Sequence, residues 1–317
     1  MATITRRETL LAAAGVAALG LSGRVVFAQD ASAGGKGHFA YKVGDIDVIG
    51  LHDGYWEMPL SPGFIGNAEL TDVQDALEAG GHARDIVPIN FAQTLIRTGG
   101  RTVLVDAGTG GQLAPTAGTM IDHLKAAGIE PSQIDTILVS HYHPDHIFGL
   151  MAKDGTDSVF PDAEILVPAT EHAFWTDPAT MSAMPENRRG LVQRINATLG
   201  AWSNVTPYEV DKEVVPGILP LAAYGHTPGH TVFAVSSGND QLLVAGDIAN
   251  VPALFVANPG WHAAFDMDKD MAETTRRALF DRVIADNMQI AGYHFGFPNA
   301  GTLEKDGGSY AFEPMSS

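Results

Sequence analysis

The chain has no cysteine among its 317 residues. That removes disulfides, thiolate nucleophiles and thiolate metal ligands together, and leaves imidazole and carboxylate as the strong ligands available. Positive charge is scarce as well: 19 Lys and Arg stand against 37 Asp and Glu, a formal net charge of −18. A face built for a phosphate backbone would work against that field, so nucleic-acid partners are not expected. Nor does the N-terminal apolar stretch, residues 10–21, reach the roughly 20 residues that cross a bilayer. No stable membrane anchor is expected.

What is present is ordinary globular composition, 45% hydrophobic and 18% charged, in a chain long enough for a sizeable core. Residues 1–28 carry Arg6-Arg7 ahead of the apolar stretch and Val26-Phe27-Ala28 as a small-x-small cleavage site. This resembles a twin-arginine export signal, which implies a periplasmic or secreted protein. Residues 29–37 have the Gly- and Ser-rich composition of a flexible linker, and residues 38–317 read as one domain.

Two β-rich runs, 91–97 and 102–105, flank Thr98-Gly99-Gly100-Arg101 and predict a hairpin. A glycine-rich loop follows Val105-Asp106-Ala107-Gly108, then a short helix over 120–127 closed by Gly128, then a buried strand over 134–140. Further strands are expected at 163–167, 205–210, 219–224, 231–236 and 241–245, with helices at 169–175 and 186–202. The helix predicted over 271–286 gathers Leu279, Phe280, Val283 and Ile284 on one face; Arg276 falls on that apolar side as the exception. β-rich blocks in both halves, each followed by helices, predict one layered α/β domain.

Directly after the predicted strand at 134–140 stands His141-Tyr142-His143-Pro144-Asp145-His146. On an extended segment residues two apart point the same way, so His141 and His143 can meet one ion. A helix starting after Pro144 would aim Asp145 and His146 toward a neighbouring ion. Two ions need further ligands. Candidates follow in order, each where a strand stops: His226 in Gly225-His226-Thr227-Pro228-Gly229-His230-Thr231, Asp247 in Ala245-Gly246-Asp247, and His294 in Gly292-Tyr293-His294. His38, His52, His82, His123, His172 and His262 stand alone and read as surface or satisfied core residues.

H-x-H-x-D-H, G-H-T-P-G-H-T, G-D and a late histidine, in that order, resemble the metallo-β-lactamase superfamily across nearly all of the chain after the leader. The resemblance implies a four-layer αββα sandwich with two divalent metals, usually zinc, at one edge. It implies that His141, His143 and His226 hold the first metal, that Asp145, His146 and His294 hold the second, and that Asp247 bridges them. Asp106 and His230 are implied behind the ligands, orienting them. Such a pair makes a nucleophile from water at neutral pH and polarises a C=O or P=O, with Asp145 and Asp247 as the carboxylates at the chemistry.

Residues 215–218, 224–231, Ala173-Phe174-Trp175, Asp268-Lys269-Asp270, residues 276–280 and Phe297-Pro298 resemble methyl parathion hydrolases and related secreted lactonases. The expected substrate is therefore a small lactone, aryl ester or phosphotriester; a β-lactam and a non-catalytic metal- or ligand-binding role are the alternatives, and a homodimer stays open. Homoserine lactonases of the family carry a tyrosine three residues after the bridging aspartate where this chain has Asn250, which argues against a homoserine-lactone preference. Trp175, Phe295, Phe297 and Asn250 are the candidates for the substrate pocket.

Overall fold

The computed structural model describes residues 37–155, 157–202 and 204–316. The expected leader over 1–28 lies outside these residues, as does all of the expected linker but Gly37. Gly37 itself is buried, and its carbonyl accepts from His52 N–H at 2.9 Å.

Two sheets form the middle of the molecule. The first contains β1 (His38–Val43), β2 (Ile46–Pro59), β3 (Ile86–Thr98), β4 (Arg101–Val105), β5 (Thr136–Leu138), β6 (Glu164–Pro168) and β7 (Val205–Tyr208), in that order. It is antiparallel through β4 and parallel from β4 to β7. The second contains β8 (Ile218–Ala222), β9 (Thr231–Ser237), β10 (Asp240–Val244), β11 (Gln289–Ala291), β12 (Ala300–Asp306) and β13 (Ser309–Pro314), again side by side in chain order. Only β10 and β11 pair in parallel, joined by a crossover through helix.

Helices cover the outer faces: α1 (Leu70–Ala79), α2 (Met120–Ala126), α3 (Pro144–Ile147), α4 (Ala169–Thr176), α5 (Pro178–Ala183), α6 (Glu186–Gly200), α7 (Pro252–Phe255) and α8 (Lys269–Ala285). Four layers require three apolar seams, and three core clusters occupy them. Val48, Ile96, Val103 and Leu138 of the first sheet meet Phe233, Val235, Leu242 and Val244 of the second. Leu124, Ile137, Val167 and Ile195 join the first sheet to α2 and α6. Val73, Leu77, Leu254, Phe280 and Val283 seat α1, α7 and α8 on the second. This is the αββα sandwich.

Three local features aim the sandwich's edge. The expected strand over 134–140 pairs only from Thr136 to Leu138, because Ser140 N–H leaves the ladder for Asp106 Oδ1 at 2.7 Å. The chain is thereby bent where the histidine cluster begins. A bulge between His52 and Gly54 turns Asp53 out of the β2–β3 ladder, and its carboxylate accepts from Thr109 N–H at 2.8 Å and Met120 N–H at 3.0 Å, pinning the glycine-rich loop. Asp106 sits at φ 60°, a left-handed conformation that Asp tolerates better than most residues.

Candidate metal centre

Loops leaving the C-terminal ends of β4, β5, β8, β10 and β11 converge at one edge of the sandwich, bringing Asp106, His141, His226, Asp247 and His294 together. Two quartets result. His141, His143, His226 and Asp247 offer ligand atoms within 4.8 Å of one another, and so do Asp145, His146, Asp247 and His294. Asp247 belongs to both. Its Oδ2 lies 3.2 Å from His226 Nε2 and 3.1 Å from His294 Nε2, while Oδ1 lies 3.2 Å from His146 Nε2.

Each inward nitrogen is set by what holds the other side of its ring. His146 Nδ1 donates to Asp106 Oδ2 at 2.8 Å. His141 Nδ1 donates to Ser140 Oγ at 3.0 Å, and that hydroxyl donates to Asp106 Oδ2 at 2.7 Å, so one aspartate orients a histidine of each quartet. His226 Nδ1 donates to Asp266 Oδ1 at 2.9 Å and His294 Nδ1 to the Asn90 carbonyl at 2.6 Å. His143 presents Nδ1 instead, 2.9 Å from His226 Nε2. His230 donates through Nδ1 to the Ala223 carbonyl and accepts from Asp247 N–H at 3.0 Å, fixing the backbone of the shared aspartate. Gly246 is required there: its φ is 50°, and a Cβ would stand 2.6 Å from His230 Nε2.

The donors fit cations. His141 Nε2, His146 Nε2 and Asp247 Oδ1 are buried with no hydrogen-bond partner, a costly arrangement unless something positive is bound there. Burial favours neutral imidazoles, and it wins at His143 and His230, both lowered to about 3. At His226 the carboxylates of Asp247 and Asp266 overcome burial and push the pKa up to about 9. At His146, Asp247, Asp145 and Asp106 likewise overcome burial and raise the pKa. Burial would likewise raise Asp247, but His294, His146 and His226 hold it well below the usual carboxylate range. The field at the centre calls for positive charge.

With this geometry in view, the family model of the metallo-beta-lactamase superfamily matches residues 92–285, more than half of the chain. The chain belongs to the metallo-β-lactamase superfamily. Among curated relatives of the superfamily, the N-acyl homoserine lactonase AiiA of Bacillus thuringiensis subsp. kurstaki is 28% identical over 129 residues. That alignment takes in 40% of this chain and 44% of the relative, so the chain spans less than half the length of the curated relatives it matches. Among solved structures, AidC, a dizinc quorum-quenching lactonase, superposes with a TM-score of 0.82 at 25% identity, covering 89% of this chain and 98% of its own. The hydrolase AbOPH of the beta lactamase superfamily gives 0.82 at 26% identity, with the same coverage.

Beside the two quartets lies a cavity of about 250 Å³. Trp56, Ile89, Phe91, Leu113, Leu191 and Phe265 make its apolar wall, and Asn250 lines it as expected for a pocket residue. No lysine or arginine is among its described lining residues. The other pocket candidates lie elsewhere. Trp175 is 2% exposed and donates Nε1–H to Glu171 at 2.7 Å, since α4 turns it inward against His143. Phe295 is fully buried and packs edge-on against Phe312, 4.9 Å away. Phe297 lies against His52 at 5.3 Å. Aromatic content near the motifs predicted a wall; the wall comes instead from β2, β3, α6 and the loops before α2 and α8.

Several supporting residues carry no motif of their own. Asp266, Asn90 and Glu171 stand in segments whose sequence shows no ligand pattern. Arg276 left a trace as the charge on the apolar side of α8. It is 2% exposed and donates to the carbonyls of Ile248 at 2.6 Å, Pro259 at 2.7 Å and Trp261 at 3.0 Å, and to Asp266 Oδ2 at 3.3 Å. A buried guanidinium needs such a partner, and that partner holds His226. Tyr293 stacks on His146 with centroids 3.9 Å apart, accepts from Gln93 Nε2 at 2.6 Å and donates to the Asp145 carbonyl at 2.6 Å.

Proposed function

We propose that this protein is a two-metal hydrolase of neutral lactones and aryl esters, with neutral phosphotriesters as the second reading. The observation that carries the proposal is a pair of His/Asp quartets sharing Asp247 and opening into an apolar cavity whose described lining has no lysine or arginine. A β-lactam brings a carboxylate into the pocket, and here it would meet Asp145 and no lysine or arginine among the described lining residues. Lactones, aryl esters and phosphotriesters carry no such charge. The match to AidC and to N-acyl homoserine lactonases supports the lactone reading, and AidC's two zincs support zinc as the metal.

In this reading His141, His143 and His226 would hold one ion and Asp145, His146 and His294 the other, with Asp247 a member of both quartets. Bound there, the ions supply Lewis acidity and a nucleophile drawn from water near neutral pH. The protein's part is orientation and exclusion of water. Asp106, Ser140, Asp266 and Asn90 keep the imidazoles aimed inward. Trp56, Phe91 and Phe265 shed water from the substrate's apolar arm, and Asn250 offers its side-chain amide to the polar end. Asp145, with 16% of its side chain exposed, is the carboxylate placed to take the proton given up by the attacking water and hand it to the departing oxygen. The leader features of residues 1–28 support export to the periplasm or beyond, which fractionation of the full-length chain with and without Arg6-Arg7 would test.

The functional test is turnover of dihydrocoumarin, a homoserine lactone, a paraoxon-type triester and nitrocefin before and after chelation. Metal-dependent turnover of the neutral substrates and little of nitrocefin is expected. Preference for nitrocefin would overturn the cavity argument. No hydrolysis across the panel would favour a binding protein.

A further inference from the structure

Glu171, in the first turn of α4, is fully buried, and among the described residues no cation pairs with it. Its carboxylate is saturated by four donors. Oε1 accepts from Tyr142 N–H at 3.0 Å and Trp175 Nε1–H at 2.7 Å. Oε2 accepts from Thr227 Oγ–H at 2.8 Å and Gly229 N–H at 2.9 Å. Tyr142 stands between His141 and His143; Thr227 and Gly229 flank the turn after His226. One side chain therefore ties the loop carrying two imidazoles of the first quartet to the loop carrying the third. A buried carboxylate without a counter-charge is expensive unless its lone pairs are all engaged, and here all are engaged on the two ligand loops and the helix's own Trp175.

The packing agrees. Gly229 has an ordinary φ, yet a Cβ there would run into the backbone of Glu171. The glycine is needed so that the His226 loop can lie directly on the start of α4. The second quartet is braced differently: Asp106 and Tyr293 hold His146, and Asn90 holds His294. None of these contacts passes through Glu171.

We infer that Glu171 is a positioning residue that sets the spacing between the His141–His143 loop and the His226 loop, and hence the metal affinity of that quartet, while leaving the ligands that belong to the second quartet alone, Asp145, His146 and His294, in place. This rests on the two-metal reading. Glutamine is the informative substitution. Its amide oxygen can keep two of the four bonds, but its NH2 faces the Gly229 N–H, donor against donor. Orientation contacts of this kind change metal affinity by about 10- to 100-fold.

The readout is anomalous scattering from crystals equilibrated in zinc buffers of graded free concentration, which reports the occupancy of each site separately. For Glu171→Gln we expect half-filling of the His141, His143 and His226 site to need about 10- to 100-fold more free zinc, and the other site to fill as in the parent protein. Parent-like filling of both sites, or an equal loss at both, overturns the inference; a general structural role would produce the equal loss. If Glu171→Gln does not fold, Thr227→Val removes one donor and keeps the volume; the same one-sided shift, smaller in size, is then expected, and parent-like filling overturns it. Zinc at neither site of the parent protein would instead sink the two-metal reading, and this inference with it.

Discussion

Replacing Asp266 with asparagine exchanges one oxygen for NH2 at a position where both oxygens accept. Oδ1 takes the His226 Nδ1 proton at 2.9 Å and Oδ2 faces Arg276 at 3.3 Å. Asparagine can serve one of these, not both. If its oxygen stays toward His226, the NH2 confronts the guanidinium, and Arg276 is left buried with three carbonyls and no anion. Loss of a hydrogen bond to a buried charge costs about 1.5–3 kcal/mol, below the roughly 3–5 kcal/mol of removing a buried ion's partner outright. If instead the oxygen turns to Arg276, the NH2 donates to His226 Nδ1. The imidazole then carries its proton on Nε2, the nitrogen that faces Asp247 and the first quartet, and that nitrogen cannot ligate. Metal affinity at the site then falls by about 10- to 100-fold, or about 1.4–2.7 kcal/mol. Asp266→Asn should therefore lose either metal-free stability or metal affinity. Urea unfolding of the metal-free protein measures the first, and zinc titration against a competing chelator the second. Parent-like values in both would refute the idea that Asp266 links Arg276 to the metal centre.

Stability should also depend on pH through His52, which is 8% exposed and lacks a partner at Nε2. Burial, with the His123 charge adding to it, lowers its pKa from 6.5 to about 4. The unfolded state then binds the extra proton first as pH falls, so the neutral form's contribution is complete above 6.5 and is lost between 6.5 and about 4. The loss is about 3 kcal/mol, and urea unfolding of His52→Gln across that window should show a correspondingly shallower decline. Tyr293→Phe keeps the stack on His146 but strands Gln93 Nε2 and the Asp145 carbonyl, at a cost of about 1–3 kcal/mol in the same assay. Phe280→Ala, in the seam beneath α8, should cost about 3–5 kcal/mol. Asn250→Ala should raise KM for lactones with little change in metal content by elemental analysis.

The sequence was most legible where chemistry and strand ends coincide. The run from His141 to His146, with His226, Asp247 and His294, could be read because ligand residues must lie near strand ends, and strand ends show in the hydrophobic pattern. Helix α8 was legible from its period, including the misfit Arg276, although its partner Asp266 lies in the irregular stretch before the helix and shows no pattern. Glu171 could not be recognised, since a glutamate in a helix's first turn usually faces water; only the arrival of the His226 loop buries it. The cavity wall failed for a related reason. Trp175, Phe295 and Phe297 sit near the motifs in sequence, whereas Trp56, Leu113 and Leu191 reach the cavity from distant segments, and neighbourhood in sequence says nothing of that convergence. The β12–β13 hairpin leaves one local signal, Gly307, at φ 61° in its turn.

The central claim is that hydrolysis needs metal at both of the quartets that share Asp247. It is tested most directly by adding zinc stepwise to metal-free protein and following dihydrocoumarin turnover against bound metal. Turnover should rise to its maximum only as the second equivalent binds, and Asp247→Asn loaded to the same metal content should be nearly inactive. Full turnover by metal-free protein, or by Asp247→Asn, would contradict it.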